Sequence, residues 1–199
     1  MLKVSPSFLF VTLLSAMMSC TGLRTGDLLF VNAPEDAGQM DGAIVAATGN
    51  IIHVAILEKA PDGSVWVIDA TPKRGVDRHP LDTLKADFPE TEGYSYLFAR
   101  PAESSVQFVE QARRFIGQPY DQAFLPDNGA MYCSELVRDS YRRPDGTYLF
   151  DAKPMNFRAS DGTFPQWWVE HFADLGMTIP QDTPGTNPQD MYAECRPLR

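Results

Sequence analysis

The sequence predicts an α+β fold in which an antiparallel sheet packs against a helix that begins at a cysteine. Three observations carry that expectation. Apolar, β-branched runs at 26–31, 50–57, 64–70 and 94–101 come first along the chain. Helical patterns at 104–117, 133–142 and 165–176 follow them. One of those helices opens inside "MYCSELVRDSY" (131–141) with a lone thiol, Cys133.

Each element has its own signal. "GDLLFV" (26–31) is a short apolar run behind a Gly-Asp turn signal and reads as a strand. Residues 36–49 are small and Gly/Ala-rich, a loop or a short helix. "NIIHVAIL" (50–57) and "SVWVIDA" (64–70) are separated by "EKAPDG", whose Pro-Asp-Gly marks a tight turn, so an antiparallel hairpin is expected. "GVDRHPL" (75–81) reads as a loop leading out, and "YSYLFARP" (94–101) as a strand stopped by Pro101. In "SSVQFVEQARRFIG" (104–117), Val106, Val109, Ala112, Arg113 and Ile116 recur at helical spacing, with Ser104 or Ser105 as cap and Gly117 as stop. "CSELVRDSYR" sets Leu136, Val137, Ser140 and Tyr141 on one face, and "PQWWVEHFADLG" (165–176) supplies a third helix. The Pro- and Gly-rich "IPQDTPGTNPQDM" (179–191) reads as a surface loop.

Length and composition bound the organisation. With 199 residues, 44% of them hydrophobic, the chain can bury one good core, which predicts one domain over 20–199. A net charge of −9 argues against a nucleic-acid partner and against a polybasic membrane contact. Residues 1–19 carry Lys3, an apolar core from Phe8 to Met18 too short to span a bilayer, and then Ser19 before Cys20. They read as an export signal, and Ser19-Cys20 resembles the bacterial lipoprotein cleavage box. That resemblance implies that Cys20 becomes an acylated first residue anchoring the protein to a membrane of the bacterial cell envelope. Ordinary signal cleavage nearby is the plainer alternative. Cys133 and Cys195 then remain; a bridge between them would consume the well-placed thiol, and Cys195 in its polar tail reads as a bystander.

A cysteine in the first turn of a helix lies at the positive end of the helix dipole, beside free backbone N–H groups. Those conditions favour the thiolate and can also hold a developing oxyanion. The proton shuttle must come from three histidines. His171 sits among Trp167, Trp168 and Phe172, and His79 precedes Pro80 in the expected loop. His53 is mid-strand, either a satisfied core residue or a functional one. With the hairpin turn centred on Pro61, His53 stands directly opposite Asp69, where a carboxylate would fix the imidazole tautomer. An even loop would pair His53 with Ala70 instead. The odd register is preferred because it puts both polar side chains on one face, leaving Ile52, Val54, Ile56, Trp66 and Ile68 on the other. Asp69 could alternatively close an Asx turn onto Thr71. No metal-ligand cluster, nucleophile-elbow motif or phosphate-cradling glycine loop competes, so neither metal nor cofactor is expected.

These residues resemble the permuted papain-like amidases of the YiiX/YaeF type. The likeness runs from "GDLLF" through "HVAIL", "VIDATP…GV", "GQPYD" and "YCSELV" to "MNF", the tryptophan helix and "PGTNP". It implies a circularly permuted papain-like fold, with an antiparallel sheet or barrel against the cysteine helix, since His53 and Asp69 here precede Cys133. It further implies Cys133 as nucleophile, His53 as general base and acid, Asp69 as the orienting residue, and Tyr120 as an oxyanion contact or a packing residue. The expected activity is that of a monomeric cysteine hydrolase acting on an amide or ester, with a cell-wall peptide or a lipid-linked amide as substrate. Two alternatives stand beside it: acyl transfer to an amine or alcohol on the same fold, or a non-catalytic envelope module with an inert Cys133. "MNF" (155–157) and "FPQWW" (164–168) read either as an apolar wall over the cleft or as plain core.

Overall fold

The computed structural model describes residues 22–198; residues 1–19, expected from the sequence to be an export signal, and Cys20 lie outside the described residues. In chain order the strands are β1 (Leu28–Asn32), β2 (Ile51–Lys59), β3 (Val65–Thr71), β4 (Gly75–Pro80), β5 (Ser95–Arg100), β6 (Lys153–Pro154), β7 (Pro184–Gly185) and β8 (Arg196–Pro197). The helices are α1 (Gln39–Thr48), α2 (Leu81–Asp87), α3 (Val106–Arg113), α4 (Cys133–Ser140), α5 (Gln166–Asp174) and α6 (Pro188–Ala193). Six strands build an antiparallel sheet in the order β4-β3-β2-β1-β5-β8, which stays open and does not close into a barrel.

Both faces of the sheet are covered, which is why β1 and β2 read as continuous apolar runs. Leu28, Phe30, Val54, Ile56 and Ile68 pack with Val109, Leu136 and Val137 from α3 and α4. Leu29, Val31, Ala55, Leu57 and Val67 pack with Leu84 from α2. Each fully buried aliphatic side chain contributes about 1.5–3 kcal/mol, so this two-sided core is the main support of the site. The Gly-Asp ahead of β1 is more than a turn: buried Asp27 accepts Arg100 Nε and Nη2 at 2.7 and 2.8 Å, and Gly26 carbonyl accepts Tyr141 Oη at 2.7 Å. That last bond ties the end of α4 to the start of β1.

The hairpin register differs from the expected one by two residues. Ile56 faces Ile68 and Lys59 faces Val65, so the turn centres on Asp62 and not on Pro61. The cause is local. Asp62 Oδ1 accepts Ser64 N and Oγ at 2.9 and 2.7 Å, and Gly63 takes the left-handed φ of +88° that this turn requires. A two-residue displacement preserves the face of every side chain, so His53 and Asp69 still share one.

Three further segments depart from expectation. "GVDRHP" forms β4; as the sheet's edge it tolerates Pro80, which has no N–H to offer a further neighbour. α3 ends at Arg113, short of Ile116, which is exposed; it buries Phe108, Val109 and Ala112 and leaves Val106 exposed, so its buried face is narrower than the periodic pattern suggests. The tail contains α6, capped by Asn187 Oδ1 accepting Asp190 N at 2.8 Å, with Pro188 in the first turn. The small residues 36–49 resolve into α1.

Candidate active site

Cys133 is the first residue of α4, and its position is over-determined. Tyr132 is the N-cap and lends no side-chain bond to the first turn. Glu135, two residues after the cysteine, accepts the Tyr132 N–H, the N3-to-N-cap half of a capping box. Its carboxyl is pushed up to about 8 by burial and by the charges of Asp121 and Asp139. At neutral pH it is therefore mostly uncharged and does not oppose a thiolate beside it.

The segment before the helix is laced to β4. Val76 N donates to Gln118 O and Gly117 N to Val76 O, each at 2.9 Å. Gly75 takes φ +67°, and a β-carbon there would sit 2.3 Å from Gln118 O, so only glycine permits this approach. Met131 N then donates to Pro119 O at 3.0 Å and Asp121 N to Met131 O at 3.1 Å, setting Tyr120 alongside the residues that lead into Cys133.

His53 comes from the other side. The β1–β2 register shifts between Val31 and Asn32, which face His53 and Ile51, so Ile52 is a bulged residue directly before the histidine. His53 Nε2 lies 2.9 Å from Asp69 Oδ2, and Cys133 acts on the same imidazole from within the cavity that both residues line. Burial alone would lower the imidazole's proton affinity. The bonds and charges of Asp69 and Cys133 outweigh it and push His53 up to about 10. Burial likewise would raise Asp69, yet hydrogen bonds from His53 and His79 hold its carboxyl well below the usual range. Phe88 stacks on the His53 ring at 5.0 Å.

The structure thus brings Cys133 and the hydrogen-bonded pair His53–Asp69 together and sets Tyr120 beside them. Tyr120 lines the same cavity, and burial together with the charge of Cys133 raises its hydroxyl well above the ordinary tyrosine value. His171 is elsewhere, stacked on Trp167 at 4.6 Å with Nε2 2.7 Å from Gln122 O. Cys195 is free, like Cys133, and burial and then Glu194 push its thiol up to about 12. His79 is the residue whose place in the site sequence reasoning missed: it contacts Asp69 Oδ1 at 2.9 Å. Its signal was the period-two run in "GVDRHP", hidden by Pro80.

Cys133 and His53 open into a cavity of about 340 Å³ whose wall is mostly apolar, with Met40, Ile44, Phe124, Met155, Phe157 and Trp168. The "MNF" and tryptophan segments serve both readings, since Met155, Phe157 and Trp168 line the cavity and also form a core cluster. Residues 22–196 match the family described as permuted papain-like amidase enzyme, YaeF/YiiX, C92 family. The chain belongs to that family. Membership carries a cysteine hydrolase-type activity of the amidase or peptidase class.

No curated protein matches the chain. Among solved structures it is similar to the metalloprotein yiiX from Escherichia coli O157:H7, at 22% identity and a TM-score of 0.69 over 88% of this chain and 96% of that one. That likeness shows the permuted papain-like fold. Among the described residues of this chain no group of three or more His, Cys, Asp or Glu is disposed to hold a metal ion. His53 and His79 each meet an Asp69 oxygen at hydrogen-bond distance.

Proposed function

We propose that this protein is a cysteine hydrolase of the bacterial cell envelope that cleaves a lipid-linked amide, or the corresponding ester, through an acyl-enzyme on Cys133. The observation that carries the reading is the line Cys133–His53–Asp69 opening into an apolar cavity of about 340 Å³. A thiol-reactive centre facing charged peptide would not need that lining, whereas an acyl chain would gain from it.

The chemistry follows from the geometry. The Cys133 thiolate attacks the carbonyl carbon, forming a C–S bond, while backbone N–H groups of the first turn and the Tyr120 hydroxyl receive the oxyanion. His53 gives its proton to the departing amine as the C–N bond breaks. Water then attacks the thioester; His53 takes its proton, the acid leaves and the thiol is restored. Asp69 keeps the imidazole oriented and supports its charged form. The enzyme acts as a monomer, with no nucleic-acid partner. Its anchor is an acyl group on Cys20, a reading supported by the short apolar run that ends in Ser19-Cys20. Metabolic labelling with an alkyne fatty acid should mark the wild type and leave Cys20→Ala unmarked; equal labelling of both, or of neither, rejects the anchor.

The activity is tested by incubating the protein with N-acyl amides of graded chain length and, separately, with cell-wall peptides, following free acid and amine by mass spectrometry. Release should grow with chain length and vanish in Cys133→Ser. Turnover of the cell-wall peptides alone would replace the lipid reading. Acyl transfer to added amine in preference to water would replace hydrolysis. A wild-type Cys133 that reacts with iodoacetamide no faster than Cys195 would leave the non-catalytic reading.

A further inference from the structure

Asp69 has two carboxylate oxygens, and His53 uses one of them. The other, Oδ1, lies 2.9 Å from His79 Nε2. The sheet builds this contact. β2, β3 and β4 are neighbours, Asp69 faces Asp77 across the β3–β4 ladder, and His79 lies two residues further along β4. Carried on from Ile56↔Ile68, the β2–β3 register sets Ala55 across from Asp69, and His53 lies two residues before it. Both flanking strands run antiparallel to β3, so the two steps lead in opposite directions along it. His53, Asp69 and His79 therefore form a diagonal line over three strands on one face of the sheet.

The partners of His79 fix its protonation. Nδ1 lies 3.2 Å from Pro80 O, which can only accept, so Nδ1 bears a hydrogen. Nε2 lies 2.9 Å from Asp69 Oδ1 and 3.3 Å from Arg74 Nη2. A bare lone pair at 2.9 Å from a carboxylate oxygen would repel it, and the Arg74 contact is too long to compensate. Nε2 thus bears a hydrogen too, and these contacts favour the cationic ring. Burial alone would disfavour that charge, but the bond to Asp69 and the Asp69 charge raise the imidazole above its ordinary value. The neighbouring charges are largely engaged with one another. Arg74 meets Asp87 at 2.5 Å and Asp77 at 3.9 Å, and Lys73 meets Asp87 at 3.0 Å. α2 packs over β4 and also carries Asp82 and Lys85; of all these groups, Asp69 and Arg74 reach the His79 ring.

We propose that His79 is a positioning residue that holds and partly neutralises the Asp69 carboxylate, extending the line Cys133–His53–Asp69 to a fourth member. By occupying Oδ1 it fixes the plane of the carboxylate, so that Oδ2 stays aimed at His53. By sharing the negative charge it keeps His53 from being locked in its imidazolium form, which must release a proton to the leaving group and recover one from water. The inference rests on the reading of Cys133, His53 and Asp69 as the reacting set.

The test is a ¹⁵N-histidine NMR titration of wild type, Cys133→Ser and Cys133→Ser/His79→Gln. Removing the thiol takes away its hold on His53, so what remains is the effect of Asp69. Gln can still donate to Oδ1 but carries no charge, so the His53 midpoint should rise by about one pH unit between the two variants. In the Cys133 background, His79→Gln should carry the alkaline limb of iodoacetamide labelling at Cys133 upward with it. His79→Asn serves as a second replacement if Gln lowers the folded fraction. A lowered melting temperature with an unmoved His53 midpoint would make His79 a purely structural residue and overturn the proposal. A His53 midpoint that is the same in wild type and Cys133→Ser would instead overturn the thiol–imidazole pair, leaving the His79 comparison to be read on its own.

Discussion

Asp69 Oδ2 lies 2.9 Å from His53 Nε2 although the two residues sit on a diagonal of the β2–β3 register, not across from one another. A diagonal neighbour is within reach of a long side chain, and the imidazole supplies the length that the short Asp lacks. Both groups are buried, so their contact is a charge-assisted bond in poorly screened surroundings.

Asp69→Asn should expose how much of the site depends on that charge. His53 should fall from about 10 toward its ordinary value, and kcat/KM should drop by about 10²-fold or more, because the neutral amide neither supports the imidazolium nor enforces its tautomer. Stability should follow pH with a defined sign. The raised His53 contributes fully below 6.5 and loses its contribution as pH rises through about 10. The depressed Asp69 contributes above 3.8 and loses its contribution only in strong acid. Thermal melts should therefore show the variant weakest relative to wild type between about pH 4 and 6.5, with the gap closing toward pH 10 and at the acid extreme. A gap independent of pH would mean the pair is held by packing alone.

Gly75→Ala should loosen the site from a distance. The new β-carbon would lie 2.3 Å from Gln118 O, backbone that cannot move without shifting Tyr120 two residues on. A cost of at least about 2 kcal/mol is expected, with a fall in kcat/KM. Gly63→Ala is the control: its φ is also positive, but nothing lies within 4 Å, so it should cost about 1 kcal/mol and leave activity intact. Equal costs at the two glycines would deny the close approach its role.

The sequence was most legible where one physical rule dominated. Continuous apolar runs exposed β1, β2, β3 and β5, and the thiol at a helix start exposed Cys133. Parity of the strand register placed His53 and Asp69 on one face even though the turn centre was wrong, because a slip of two residues is invisible to side-chain facing. What stayed hidden depended on long-range context. Pro80 suggests a loop unless its strand is known to be the sheet's edge, which only the strand order reveals. The cap at Asn187-Pro188 was readable in principle but lay in a run whose Pro and Gly content argued for a loop. The burial of Glu135 beside Asp121 is likewise long-range: it depends on a segment that packs back onto the helix start.

Glu135→Gln should make the protein more stable in alkali. The carboxyl is held at about 8 against an ordinary 4.5, chiefly by burial, and its Oε2 has no partner among the described residues. A raised carboxyl penalises the folded state once the unfolded chain can ionise, so stability is lost as pH rises from 4.5 to about 8. Gln keeps an acceptor for Tyr132 N–H and removes the penalty. Urea denaturation should give nearly equal midpoints below pH 4.5 and favour the variant above pH 8, by on the order of 2 kcal/mol. A variant less stable at every pH would show that Glu135 is held by a favourable contact that outweighs its desolvation.

Tyr120→Phe should separate transition-state stabilisation from packing. Tyr120 lines the cavity within the electrostatic reach of Cys133, and burial and then the Cys133 charge raise its hydroxyl well above the ordinary tyrosine value, which favours the donor form. Phenylalanine preserves the ring that meets Phe124 edge-on at 6.3 Å. If the hydroxyl donates to the oxyanion, its loss is felt only as the carbonyl becomes tetrahedral. The acylation rate, read in single-turnover experiments on an N-acyl amide, should then fall by about 10- to 100-fold with KM almost unchanged. If Tyr120 only packs, acylation should be unaffected, and the backbone N–H groups at the start of α4 would then have to hold the oxyanion alone.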